Sequence, residues 1–126
     1  MMQCAIYGAG GYGREVASFA RRTAEVAFVS DSASEIGRSL NGLEVIDFEA
    51  VVERGWPICI AVADARTRRR LAEKCDAAGL VAAELWAGTS IRGDNVGVSG
   101  GAIFSDFTIA TANLTIGRHF HANIYS

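Results

Sequence analysis

Apolar positions change their period part-way along this chain, and the change divides it. From Val98, steps of six residues carry Val98, Phe104, Ala110, Ile116 and Ala122. A second set, four residues after each of these, is Ala102, Thr108, Leu114, Phe120 and Ser126. Helices place apolar residues at spacings of three and four, and half-buried strands alternate, so a six-residue period fits neither. It fits the short extended pieces of a β-solenoid, in which one side chain per piece points into a narrow prism. Ser99, Ser105, Thr111, Gly117 and Asn123 follow the first set directly, and no Pro or Lys occurs from Ala87 to Ser126, as stacked short strands and corners require. An irregular meander of ordinary strands is the plainer alternative.

Before residue 85 the pattern alternates strand and helix. Cys4 to Tyr7 is a short apolar run ended by glycines, suited to a strand buried on both faces. Gly11 to Arg22 carries Val16, Phe19 and Ala20 on one helical face, and Glu25 to Ser30 reads as a second strand. After a loop around Asn41 and Gly42, Leu43 to Ile46 is extended, and Asp47 caps a helix that Gly55 closes. Ile58 to Val62 is the most continuous apolar run and predicts a central strand. Asp64 is placed to cap a helix running to Ala78 and Gly79, and Val81 to Leu85 predicts a last strand. This alternation predicts an α/β fold with a parallel sheet and right-handed crossovers, a small Rossmann-like domain over residues 1–86. Residues 87–126 are then the β-solenoid segment.

Composition adds limits. The chain has 126 residues, half of them apolar and 21% charged, which is globular, and its net charge of −2 gives no general attraction to nucleic acid. Cys4, Cys59 and Cys75 are odd in number and lack metal-ligand spacing, so they read as buried thiols, with no disulfide frame and no metal site. The N-terminus shows neither a signal peptide nor a membrane span, and a cytoplasmic location is the default expectation.

Candidate chemistry begins at Gly8-Ala-Gly-Gly-Tyr-Gly13, a GxGxxG sequence between a strand and a helix. Such glycines allow a tight turn, let a ligand approach the backbone, and place anions at the helix start. Asp31, at the end of the second strand, stands where an acidic residue meets a ribose hydroxyl. A glycine turn that serves only helix–sheet packing is the plainer reading. Arg66, Arg68, Arg69 and Arg70 crowd the first turns of the helix after Asp64, where each exposed positive charge costs roughly 0.3–1 kcal/mol against the dipole. Either an anion sits there, for which Arg66 or Arg68 is best placed, or the arginines form a solvated face with an Arg69–Glu73 pair. His119 and His121, the only histidines, have no nucleophile or carboxylate at a recognisable spacing. They read as surface or interface residues rather than as a general base.

Three segments in order resemble one family, the bacterial sugar O-acyltransferases and nucleotide-sugar N-acetyltransferases of the sialic-acid O-acetyltransferase type. They are Ile6 to Val16 with the glycine loop, Ala61-Val-Ala-Asp-Ala-Arg-Thr-Arg68, and Ile116 to Ser126 with the hexapeptide phase. The resemblance implies a Rossmann-like domain holding a nucleotide-linked sugar. It also implies a left-handed β-helix that forms a homotrimer and binds acetyl-CoA, the acyl donor, between subunits. By position the sugar nucleotide would meet Gly10, Gly11, Tyr12, Ser30, Asp31, Ala63 and Arg66. Tyr12 stands where the family commonly has His, and Ala63 where it commonly has Gly, which narrows the pocket. The family's general base is a His paired with Asp or Glu, a few residues beyond the position of Ser126, and neither His119 nor His121 matches it. The expectation is therefore an N-terminal portion of a surface-polysaccharide acetyltransferase, inactive by itself, binding no complete acetyl-CoA and carrying no catalytic residue. A nicotinamide-dependent oxidoreductase and a non-catalytic ligand-binding module are the rival readings.

Overall fold

The computed structural model describes residues 2–126. The first part runs β1 (Met2–Tyr7), α1 (Gly11–Ala20), β2 (Ala24–Val29), β3 (Ser39–Leu40), β4 (Leu43–Ile46), α2 (Phe48–Arg54), β5 (Ile58–Ile60) and α3 (Ala65–Ala77). One five-stranded sheet results, in the order β3-β4-β2-β1-β5. All its pairs are parallel except β3 with β4. That exception is a two-residue hairpin turning at Asn41 and Gly42, both at positive φ (52° and 77°), the conformation that Asn-Gly favours in such turns. The sequence reading placed only a loop there.

The helix boundaries follow local chemistry. Asp47 accepts a hydrogen bond from the Ala50 amide at 2.8 Å, and Asp64 accepts one from the Thr67 amide at 2.9 Å. Each satisfies an amide that the first helical turn leaves free. Gly55 ends α2 in the left-handed conformation. The apolar stripe of α1, Val16, Phe19 and Ala20, packs with Cys4, Ile6, Val26 and Phe28 on one face of the sheet. Ala5, Val29, Ile46, Ile58 and Ile60 meet Val51, Leu71 and Cys75 of α2 and α3 on the other. The three cysteines are buried free thiols.

The second part is built from β6 (Leu85–Trp86), β7 (Ile91–Arg92), β8 (Val96–Val98), β9 (Ile103–Phe104), β10 (Ile109–Ala110), β11 (Leu114–Ile116) and β12 (His121–Ala122). Every pairing is parallel and joins residues eighteen apart: Leu85 with Ile103, Ile91 with Ile109, Val96 with Leu114, and Ile103 with His121. Three hexapeptides therefore make one coil, and the strands form the three faces of a left-handed β-helix. Asn95, Gly101, Phe107, Asn113, His119 and Tyr125 all have positive φ, at six-residue intervals. These are the corners. Phe104, Ala110 and Ala122 are buried inside the prism, as are Ala102 and Thr108, and Trp86 stacks on Phe104 with ring centroids 3.6 Å apart.

The last strand expected in the sheet, Val81 to Leu85, is not formed. Only Ala82 bridges to Ile58. The Leu85 amide bonds instead to the Ala102 carbonyl at 2.9 Å, which commits Leu85 and Trp86 to the first coil. Leu85, Ala87 and Ile103 then pack into the core on the α1 face, so the coil is seated on the sheet domain. Among the described residues no helix is long and apolar enough to cross a membrane. None of their His, Cys, Asp and Glu side chains group as a metal would need.

Candidate nucleotide and acceptor site

The site lies at the carboxyl ends of β1, β2 and β5, where the order of an open parallel sheet leaves a crevice. Gly8 ends β1 at φ +119°, and a Cβ at Gly13 would lie 1.9 Å from the Gly8 carbonyl oxygen. Only glycine lets α1 start this close to the strand. Gly10 caps α1 without a side chain, so the first-turn amides of the helix face outward and favour an anion.

A cavity of about 190 Å³ flanks this loop, lined by Tyr7, Ser30, Asp31, Glu35, Val62, Thr67 and Arg70, among others. Tyr7 donates its hydroxyl hydrogen to Asp31 Oδ1 at 2.6 Å, and Lys74 Nζ reaches Tyr7 Oη at 2.9 Å and Asp31 Oδ1 at 3.4 Å. Burial, then the bond to Asp31, raises the Tyr7 pKa, so the phenol keeps its proton. The Ser30 hydroxyl donates to Glu35 at 2.6 Å and accepts from the Ser32 amide at 3.0 Å. It fixes the loop after β2.

On the other side of the glycine loop a cavity of about 540 Å³ is lined by Tyr12, Glu15, Ala63, Arg68, His121, Asn123 and Ile124. His121 belongs to the β-helix, the others before it to the sheet domain. Its Nε2 lies 2.9 Å from the Ile60 carbonyl oxygen and its Nδ1 lies 3.4 Å from Arg68 Nη1. A carbonyl can only accept and a guanidinium can only donate. The ring is therefore neutral, with its hydrogen on Nε2. Burial, then the Arg68 cation, pushes the His121 pKa down to about 4. Arg68 also donates to the Val62 and Ala63 carbonyls at 3.0 and 3.1 Å, tying the end of β5 to the β-helix. Tyr12 leans on the His121 ring at 5.0 Å, its hydroxyl buried without a partner and its pKa pushed up to about 12 by burial.

Of the sequence-predicted residues, Ser30 and Asp31 fall in the smaller cavity, and Tyr12 and Ala63 in the larger. Gly10 and Gly11 lie between them at the helix start and line neither. Arg66 is exposed and lines neither cavity, whereas Arg68 lies in the larger. Position explains the difference: Arg68 closes the first turn onto Asp64, with its amide bonded to the Asp64 carbonyl, and its side chain returns over the end of β5. Sequence reasoning missed Tyr7 and Lys74, sixty-seven residues apart in the chain. The one available signal was a phenol at the end of the apolar run Cys4 to Ile6. His121 is an interface residue, as its repeat phase suggested, and both of its nitrogens are engaged. His119 has no hydrogen-bond partner at either nitrogen, and burial lowers its pKa.

A glycine-loop sheet domain with a β-helix seated on it, and cavities beside that loop, defines a Rossmann-like domain coupled to a hexapeptide-repeat unit. The chain belongs to the family described as the PglD N-terminal domain, which matches residues 3–75. It is 30% identical over 132 residues to the GDP-perosamine N-acetyltransferase of Escherichia coli O157:H7, an alignment covering 96% of this chain and 59% of that protein. WeeI from Acinetobacter baumannii AYE superposes with a TM-score of 0.87 at 28% identity, over 99% of this chain and 62% of that one. The acetyltransferase domain of PglB from Neisseria gonorrhoeae FA1090, in complex with acetyl coenzyme A, shares the fold with a TM-score of 0.85 at 24% identity, over 98% of this chain and 62% of that one. The chain thus spans about three fifths of the length of these relatives.

Proposed function

We propose that this chain is the acceptor-binding part of a nucleotide-sugar acetyltransferase of surface-polysaccharide synthesis, with residues 1–86 holding a nucleotide-linked sugar and residues 87–126 beginning the β-helix. The observation that carries this reading is the pair of cavities on either side of the glycine loop. The diphosphate would lie over the first amides of α1. The nucleoside would lie toward Asp31, and the sugar toward Tyr12, Ala63 and Arg68, against the β-helix. That order brings the sugar against the β-helix, and the PglB acetyltransferase domain that shares this fold was solved in complex with acetyl coenzyme A. In the complete protein acetyl-CoA would supply the activated acetyl thioester. This chain's own contribution is to bind and orient the acceptor, in the cytoplasm where nucleotide sugars are made.

Neither histidine supplies a base: His121 is held neutral between Ile60 and Arg68, and the His119 ring is buried without a carboxylate partner. The 126-residue polypeptide is therefore expected to release no thiol from acetyl-CoA above the uncatalysed rate. Measurable turnover would mean that a base has been overlooked.

For the acceptor, calorimetric titration with sugar nucleotides is the test. Asp31→Ala is expected to weaken binding by roughly 1–3 kcal/mol through loss of a charged acceptor. Unchanged affinity would remove Asp31 from the site, and tighter binding of NAD than of every sugar nucleotide would favour an oxidoreductase.

The β-helix exterior supports a homotrimer. Phe107 and Tyr125 stack at 5.3 Å on successive coils, and Ile91 and Ile109 pair beside them, all four exposed. An apolar ladder of this kind marks an association surface. Light scattering should show self-association that Ile109→Asp abolishes, and a monomer at all concentrations would contradict it.

A further inference from the structure

Positive side chains break a rule of helix electrostatics in this chain, and only beside the glycine loop. A helix N-terminus carries partial positive charge, so carboxylates suit its first turn and cations its last. Helix α2 complies, with Glu49 in its first turn and Arg54 in its last. It starts from β4, on the far side of β2 from the loop. Helices α1 and α3 start from β1 and β5, neighbours in the sheet that bracket the loop. Neither has an acidic residue in its first turn. Arg14 stands in the first turn of α1, and Arg66, Arg69 and Arg70 stand in the first two turns of α3, all of them exposed. Arg66 forms no ion pair among the described residues. Arg69 lies 3.5 Å from Glu73, with both side chains largely in water (85% and 71% exposed), where such a pair contributes little. The fold has no use for these charges.

Arg66 and Arg69 line neither cavity beside the glycine loop. A cation that touches nothing acts through its field, and such fields summed over a surface guide charged ligands at long range. The chain carries a net charge of −2, which repels an anionic ligand from most directions. We infer that Arg66 and Arg69, with Arg14 across the loop, form an electropositive rim that steers a doubly charged nucleoside diphosphate into the crevice and sets its association rate. This rests on the sugar-nucleotide reading above and adds how that ligand arrives. Arg14 holds its side chain at the loop, with Nε 3.3 Å from the Gly10 carbonyl oxygen. Glu15 and Glu73, further along the same two helices, offset part of the charge but leave the first turns positive. The rim selects at encounter: it speeds the arrival of nucleotide-activated sugars and does nothing for a free sugar or a nucleoside. Screening limits its reach to about 30 Å at 0.01 M salt and about 8 Å at 0.15 M.

The test is magnetic-resonance line-shape analysis of the isotope-labelled chain titrated with UDP, GDP, uridine and guanosine, at ionic strengths of about 0.01 and 0.15 M. Arg66→Glu/Arg69→Glu is expected to slow association of the diphosphates at least about tenfold at the lower ionic strength and about threefold or less at the higher. Dissociation should change by less than about twofold, as it does for a charge at the rim of a site. Acidic residues suit the start of α3, so this variant should fold at least as well as the native chain. Arg66→Lys/Arg69→Lys should keep the native association rate, because steering reads charge, whereas a bound-state contact through the guanidinium fork would be lost. Association of the uncharged nucleosides should be the same in all three proteins. Unslowed association in the Glu variant, a loss carried by dissociation, or a Lys variant as slow as the Glu variant overturns the inference and leaves the sugar-nucleotide reading intact. Absence of binding of both diphosphates to the native chain overturns that reading and this inference with it.

Discussion

Gly13→Ala is expected to destabilise the protein by about 3 kcal/mol or more, the upper range for forcing extra atoms into a packed site. The new Cβ would meet the Gly8 carbonyl oxygen at 1.9 Å and its carbon at 2.8 Å. Those are backbone atoms at the end of β1, and they cannot rotate away. Either α1 lifts from the sheet, opening the core around Val16 and Phe19, or Gly8 moves and the loop loses its shape. For a domain of this size the melting temperature should fall by roughly 10–15 °C, and nucleotide affinity should fall with it. Gly11→Ala is the control, because a Cβ there meets nothing within 4 Å. Differential scanning calorimetry decides between them. Equal melting temperatures for the two variants would show that the loop tolerates a side chain and that its glycines do not set the approach of helix to strand.

Stability should also decline as pH falls from about 6.5 toward 4, with His121 as a principal cause. Its folded-state pKa of about 4 lies below the model-peptide value of 6.5, so the unfolded chain binds the proton first. Stability from the neutral ring is complete above the unfolded pKa and is lost as pH drops toward the folded one. Part of the ring remains open to solvent, which screens the effect, and about 1–2 kcal/mol is expected across that window. Protonation would place a second cation 3.4 Å from the Arg68 guanidinium. It would therefore separate the sheet domain from the β-helix at the wall of the larger cavity. Denaturant melts of the native chain and of His121→Gln at pH 7.5, 6.0 and 5.0 measure it. Parallel declines in the two proteins would acquit His121.

Much of this architecture was legible because local rules fix it. Asp47, Gly55 and Asp64 act on their own helix ends, so caps and boundaries needed no tertiary information. The six-residue phase was equally direct, since each prism position repeats the same burial and each corner the same backbone conformation. The hairpin at Asn41 and Gly42 obeys the same local logic, but strands of two and four residues are too short to show an alternating pattern. Leu85 was misassigned for a different reason. An apolar pair such as Leu85-Trp86 suits a sheet edge or a solenoid face equally, and only the partner eighteen residues on decides between them.

The sequence by itself determined the α/β alternation, the β-helix period and the glycine loop with Asp31 beside it, because each depends on neighbours within a few positions along the chain. Tertiary structure alone decided that Arg68 rather than Arg66 enters the larger cavity and that His121 is held between Ile60 and Arg68. It also decided that Tyr7 and Lys74 occupy one oxygen of Asp31. Those contacts join residues from 24 to 67 positions apart. Their donors and acceptors meet only after the sheet, the helices and the first coil have packed, and no local periodicity encodes which long side chain will reach which oxygen.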